Sequence, residues 1–242
     1  MIKNAYAVLT CPGGRKVNED MVLIKKGPSG LFAAVADGLG AHGGGREASL
    51  AAAETILSCF ERGLCRTQAE LAQAFRWSNE AVAASQKEDG QAMTTLVSLI
   101  IRQGTALWGH VVDSRLYHFQ NARRVSRTLD HSVPQMAVFM NMITEDEIRF
   151  HPDRNRILRA LGSDSHEPEI SEPMPLSEEF HAFLLCTDGF WEYVPEKRME
   201  ETLAGSPDPE KWLFKMEQLL KEQAPENSDN YSAAAIFTIG EE

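Results

Sequence analysis

The sequence predicts an α+β domain built on antiparallel sheet, and three observations carry that expectation. Short apolar runs separated by turns between Thr94 and Thr128 read as a meander of neighbouring strands. Two longer stretches, Arg46 to Phe60 and Thr67 to Glu88, carry apolar residues at helical spacing. No long polar or Pro/Ser-rich linker divides the 242 residues, whose 43% hydrophobic content is ample for one core. A single domain spanning 1–242 is expected.

Taken in order, residues 4–10 and 21–26 read as the first two strands, joined through a turn at Pro12-Gly13-Gly14. Leu31 to Ala36 is a third strand, followed by a glycine-rich loop through Gly45. The helix from Arg46 to Phe60 is expected to face Leu50, Ile56, Leu57 and Phe60 inward, with Gly63 just past its end. Thr67-Gln-Ala-Glu70 has the form of a capping box opening the second helix, which Leu71, Phe75, Ser78 and Val82 stripe. Thr94 to Ile101 and Ala106 to Val112 pair around Arg102-Gln-Gly104, and Arg115 to Gln120 turns at Asn121-Ala122 into Arg123 to Thr128. Residues 130–165 change character, with short amphipathic pieces at Ser132 to Asn141 and Thr144 to Phe150, and read as a helical insertion. Phe180 to Thr187 is again a strand, Asp208-Pro209 opens a helix through Gln223 with Trp212, Met216, Leu219 and Leu220 inward, and Tyr231 to Ile239 closes the chain.

Carboxylates stand at the ends of these strands. Asp37, Asp113 and Asp188 each follow an apolar run, whereas Glu19-Asp20 and Asp229 each precede one. If strands of opposite sense lie antiparallel, these acids fall on one edge of the sheets. Each is separately explained as a turn or capping carboxylate, a reading that weakens for the whole set. So many acids in one space must be neutralised, and Arg15 is the main basic residue in the segments that supply them. Oxygen-only ligation of this kind suits Mg2+ or Mn2+. Arg15 is itself either a solvated turn residue or a phosphate clamp, because its planar fork can hold two oxygens.

The formal net charge of −11 argues against a nucleic-acid binder. No apolar run approaches membrane-spanning length, and the first residues lack the pattern of a signal peptide, so a soluble, cytoplasmic protein is expected. Cys11, Cys59, Cys65 and Cys186 lack zinc-type spacing and read as reduced structural thiols.

Six segments in order resemble the bacterial form of the PP2C-type (PPM) metal-dependent serine/threonine protein phosphatases. They are Arg15-Lys-Val-Asn-Glu19-Asp20, Val35-Ala-Asp37-Gly38-Leu-Gly-Ala-His42, Val112-Asp113-Ser114-Arg115, Asp130-His-Ser132, Leu185-Cys-Thr-Asp188-Gly189 and Asp229-Asn230. The resemblance implies an α-β-β-α four-layer sandwich with a site for two Mn2+ or Mg2+ ions at one sheet edge. It implies that Asp37 is shared by both ions, that the Gly38 carbonyl and Glu19 serve one, and that Asp188 and Asp229 serve the other. Asp113 then matches an acid that helps bind a third ion, Asp20 one that orients metal-bound water for attack on phosphate, and Arg15 the phosphate-binding arginine. Residues 132–165 correspond to the flap. The implied partners are phosphorylated proteins and an opposing Ser/Thr kinase.

The sequence departs from the family pattern in three places. Val112 stands where Gly is usual, and a β-branched residue resists the backbone angles open to Gly. Leu39 stands where eukaryotic members carry a histidine, and Met93 replaces a usual Gly before Thr94-Thr95. His42 is a candidate replacement acid or a polar loop residue. Two alternatives stay open at this point, a catalytically silent phosphoprotein-binding module and a phosphatase of small phosphoesters.

Overall fold

The structure, a computed structural model, describes residues 2–40, 44–86 and 92–240. The chain begins with β1 (Ile2–Cys11), β2 (Met21–Gly27), β3 (Gly30–Ala36) and the two-residue β4 (Gly38–Leu39). Helices α1 (Gly44–Glu61) and α2 (Gln68–Ser85) follow, then β5 (Met93–Thr94), β6 (Leu96–Arg102), β7 (Thr105–Val111), β8 (Arg115–Gln120) and β9 (Arg123–Arg127). The second half holds α3 (Val133–Phe139), a 3-10 segment (Glu145–Phe150), β10 (Glu169–Ile170), β11 (Met174–Pro175) and β12 (His181–Cys186). It closes with α4 (Asp188–Trp191), α5 (Glu196–Ala204), α6 (Pro209–Gln223) and β13 (Tyr231–Gly240).

The strands form two antiparallel sheets of order β1-β13-β12-β8-β9 and β10-β7-β6-β3-β2, with β11 beside β7 and a separate β4-β5 pair. Alternation along each central strand explains why these runs are continuously apolar: both faces are covered. Leu31, Ala33 and Val35 of β3 meet Phe183, Leu185, Ala234 and Ile236 of the other sheet. Phe32, Ala34 and Ala36 face the opposite way, against α1 and α2. On the far side Ala182, Leu184, Ala233 and Ala235 pack under α5 and α6, through Met199, Trp212 and Met216. The result is the expected four-layer α-β-β-α order.

Several local expectations need adjustment. The inward stripe of α1 runs through Ala48, Ala52, Ile56 and Cys59, with Leu50 and Leu57 half-buried on its flanks. Small side chains let this helix lie close on the sheet and on α2. In α6, Leu213 is buried and Leu219 only half so. Residues 130–165 are less helical than expected, since only α3 and the 3-10 segment form, and α5 was not anticipated. The capping box at Thr67 is present, with Thr67 Oγ1 accepting from Glu70 N and Glu70 Oε2 accepting from Thr67 N. That helix ends at Ser85, and Glu88 lies outside the described residues.

One polar cluster is built into the packed interior near the acid-bearing edge. Arg115 is 2% exposed and holds Asp130 through two hydrogen bonds, Nε to Oδ1 at 2.8 Å and Nη2 to Oδ2 at 2.6 Å. Its guanidinium lies 3.5 Å over the Trp191 ring, and its Nη1 donates to the Tyr117 hydroxyl at 2.9 Å. Removing one member of a buried pair leaves the other charge uncompensated. Asp130→Ala is therefore expected to lower unfolding free energy by about 3–5 kcal/mol in urea titrations. A loss below about 1 kcal/mol would mean that Tyr117 and Glu196, 3.5 Å from Arg115, suffice to hold the cation.

Candidate active site

The C-terminal ends of β3, β7 and β12 and the N-terminal ends of β2 and β13 come together, because antiparallel neighbours expose opposite ends at one edge. Glu19, Asp37, Asp113, Asp188 and Asp229 line one cavity of about 370 Å³, with Gly38, Asn155, Ile157 and Asn230. Arg15 is on its wall, and Nη2 donates to Asp229 Oδ2 at 3.0 Å. Asp20 is just behind the wall, 6% exposed. His42 lies outside the described residues.

Each acid is fixed through its backbone. Asp37 N donates to Thr95 Oγ1 at 2.8 Å, while the Asp37 carbonyl accepts from Thr95 N at 2.9 Å and from Thr94 Oγ1 at 2.8 Å. Thr95 Oγ1 lies 2.6 Å from Ser114 Oγ, so the loop after β3 is tied to the one after β7. Asn230 Oδ1 accepts from Glu19 N at 2.9 Å, and Nδ2 donates to the carbonyls of Pro12 and Val17. The Gly13-Gly14 turn then packs on the Asp229 loop. Gly13 has φ +58°, and a Cβ there would sit 2.2 Å from the Asp229 carbonyl oxygen. Gly38 is equally confined, since a Cβ would meet the Gly45 carbonyl oxygen at 2.1 Å.

Burial sets the electrostatics. The Asp20 carboxyl is pushed up to about 7 by desolvation, reinforced by Asp188 and Asp229. Burial, with repulsion from Asp188, Asp20 and Asp113, raises Asp37 well above the usual carboxylate range, and burial with Asp188 does the same for Asp113. Asp188 is raised too, by burial and by repulsion from Asp229. Thr187 Oγ1 donates to Asp20 Oδ2 at 3.0 Å, but Asp20 Oδ1 and Glu19 Oε1 are buried with no hydrogen-bond partner among the described residues. Orphaned carboxylate oxygens, an oxygen-only donor set and one arginine among the lining residues fit hard divalent cations.

Sequence reasoning found the acids and missed what holds them. Thr95 and Ser114 lie 58 and 77 residues from Asp37, and although both fall in segments that match the family pattern, nothing in the sequence marks them as partners of that loop. Arg154, from 132–165, was also missed. Its Nε donates to Glu192 Oε1 at 2.9 Å, and it lines with Arg15, Asp188 and Asp229 a smaller cavity of about 170 Å³.

Comparison with known proteins places this architecture. The profile of the family described as Protein phosphatase 2C matches residues 14–229. The "Serine/threonine phosphatase stp" of Listeria innocua is 31% identical over 179 residues, 70% of each chain. The crystal structure of the Mycobacterium tuberculosis serine/threonine phosphatase PstP/Ppp superposes with a TM-score of 0.83 at 26% identity, over 100% of both chains. A PstP catalytic domain in complex with two manganese ions has the same fold, with a TM-score of 0.83 at 24% identity over 99% of this chain and 100% of that one. The chain belongs to the protein phosphatase 2C family, Mn2+- or Mg2+-dependent enzymes that hydrolyse phosphoproteins at serine and threonine.

The raised pKa values predict a pH dependence of known sign. Unfolded, these carboxyls ionise near about 4; folded and cation-free, Asp20 holds its proton to about 7. The native state then binds more protons across that window, and this contribution to stability falls as pH rises. In metal-stripped protein the Tm of Asp20→Asn minus that of wild type is expected to grow between about pH 5 and about pH 8. The difference cancels His110 and His118, which burial drives down to about 4 and which favour the opposite trend. A difference that is flat or shrinks with pH would contradict the assignment.

Proposed function

We propose that this chain hydrolyses phosphoserine and phosphothreonine in cytoplasmic proteins at the acid-lined cavity, opposing a Ser/Thr kinase. The observation that carries the reading is the convergence of Glu19, Asp37, Asp113, Asp188 and Asp229, from opposite strand ends, on one cavity with Arg15 at its wall. Glu19, Asp37, the Gly38 carbonyl, Asp188 and Asp229 would hold two Mn2+ or Mg2+ ions, and Asp113 would help hold a third. When bound, such ions neutralise phosphate charge and acidify water. The Arg15 guanidinium, more than half exposed, binds the phosphate oxygens not under attack. Asp20 orients the attacking water, with Oδ1 free of a hydrogen-bond partner among the described residues and able to take its proton. Residues 132–165 act as a flap that brings Arg154 and Asn155 to the rim. All four cysteines are unpaired, which supports a reducing compartment, and among the described residues no helix is long and apolar enough to cross a membrane.

The test is hydrolysis of a phosphothreonine peptide by metal-stripped protein, with Mn2+ or Mg2+ restored. Asp37→Ala and Asp188→Asn are expected to lose about 100-fold or more in kcat/KM. Arg15→Ala is expected to raise KM at least about tenfold, the worth of one charge-assisted hydrogen bond. Full metal-dependent activity in Asp188→Asn would place the chemistry elsewhere. Metal binding without hydrolysis would make the chain a silent module, and cleavage of small esters alone would reassign its substrate.

A further inference from the structure

Val112 is fully buried and has φ +81°, a region that L side chains rarely adopt and that β-branched residues resist most. It immediately precedes Asp113, so its backbone angles set where the Asp113 side chain points. Two hydrogen bonds hold it there, both to one residue. Val112 N donates to His131 Nδ1 at 3.0 Å, and the Val112 carbonyl accepts from His131 N at 3.0 Å. On its other side Asp113 is held by Trp191 Nε1, which donates to the Asp113 carbonyl at 2.9 Å.

A backbone N–H can only donate, so His131 Nδ1 is unprotonated and the ring proton resides on Nε2. That nitrogen faces Glu169 Oε2 at 3.5 Å, with Arg159 Nη1 also at 3.5 Å. The ring stacks on His110, centroids 4.7 Å apart and planes 14° from parallel, and His110 Nε2 donates to the Leu129 carbonyl at 2.7 Å. His110, His131 and Glu169 offer ligand atoms within 4.8 Å of one another, a spacing a metal ion could bridge. A cation on His131 Nε2 would require an imidazolate, because Nδ1 is already committed as an acceptor. The cluster is therefore a strut: the Glu169 contact and the stack on His110 fix the ring, and the hydrogen bonds of His131 fix Val112.

We infer that His131 is a positioning residue for Asp113, acting through Val112 to hold a backbone angle that valine does not adopt unaided. The inference rests on the proposed role of Asp113 at the cavity. Without the ring, the buried Val112 N–H has no acceptor and the chain relaxes toward ordinary strand angles, turning Asp113 away from the site. Glycine at 112 would need no such strut.

The test combines a spectroscopic arm with a substitution cycle in the full chain. Ring 15N shifts should show His131 Nδ1 as an unprotonated, hydrogen-bonded acceptor and Nε2 protonated, with no metal added. His131→Ala is expected to raise the Mn2+ concentration for half-maximal activity, and the calorimetric Mn2+ Kd of the weakest site, about tenfold, with peptide KM within about twofold. His131→Asn, whose Oδ1 can replace Nδ1 as acceptor, should retain most of the wild-type Mn2+ response. Val112→Gly should restore His131→Ala to within about twofold. A proton on Nδ1, a wild-type Mn2+ response in His131→Ala, or failure of Val112→Gly to suppress that variant overturns the inference. Asp113→Asn separates the levels: if it leaves Mn2+ dependence unchanged, the role of Asp113 falls and the inference with it. If it impairs that dependence while His131→Ala does not, the inference alone falls.

Discussion

Carboxylates that repel one another are held together here because strand direction leaves them no alternative. β3, β7 and β12 run toward the edge at which β2 and β13 begin, so each acid sits one or two residues beyond or before a strand, and β3 and β12 are buried on both faces. Burial of Leu31 to Ala36 and of Ala182 to Cys186 supplies the hydrophobic free energy that anchors these positions. The cost appears at the edge, as carboxyls driven above their usual range and as oxygens without partners. Divalent cations relieve that cost, which makes the strained edge and the chemistry two aspects of one arrangement.

The acids do not rest on the strands alone. A lattice of neutral donors and acceptors fixes their backbones: Thr95 for Asp37, Ser114 between two loops, Asn230 for Glu19, and Trp191 and His131 on either side of Asp113. Two of the carboxylates are held as well, since Asp188 Oδ1 and Asp229 Oδ1 each accept from the N–H of the next residue. Among the described residues, the one ion pair made by an acid lining the cavity, Arg15 with Asp229, involves a long exposed side chain that can exchange its partner for phosphate.

What could be read in the sequence follows from the range of the interactions involved. Asp37 and Asp188 stood out because an apolar run ending on Asp-Gly is a local pattern, whereas the layer order came from the resemblance to the protein phosphatase 2C family. The bonds of Thr95 and Asn230 were not legible even though both lie in matched segments: their partners lie 58 and 211 residues away. Large apolar residues also misled the reading of α1, where Leu50 and Leu57 drew attention although Ala48 and Ala52 make the contact. Helix α5, nine residues behind Pro195, is dominated by charged residues, and its burial depends on Met199 and Leu203 alone. Val112 was legible as an exception, but its positive φ and the ring that holds it were not, since a histidine 19 residues away supplies the acceptor.

The central claim, that these acids form a cation site and give up protons to do so, is tested most directly by calorimetry. Mn2+ would be titrated into metal-stripped protein at about pH 7 in two buffers of different ionisation enthalpy. The account predicts two or more bound ions with net proton release, because burial and mutual repulsion raise Asp20, Asp37 and Asp188 and a bound cation reverses that shift. Binding without proton release, or fewer than two ions, would contradict it.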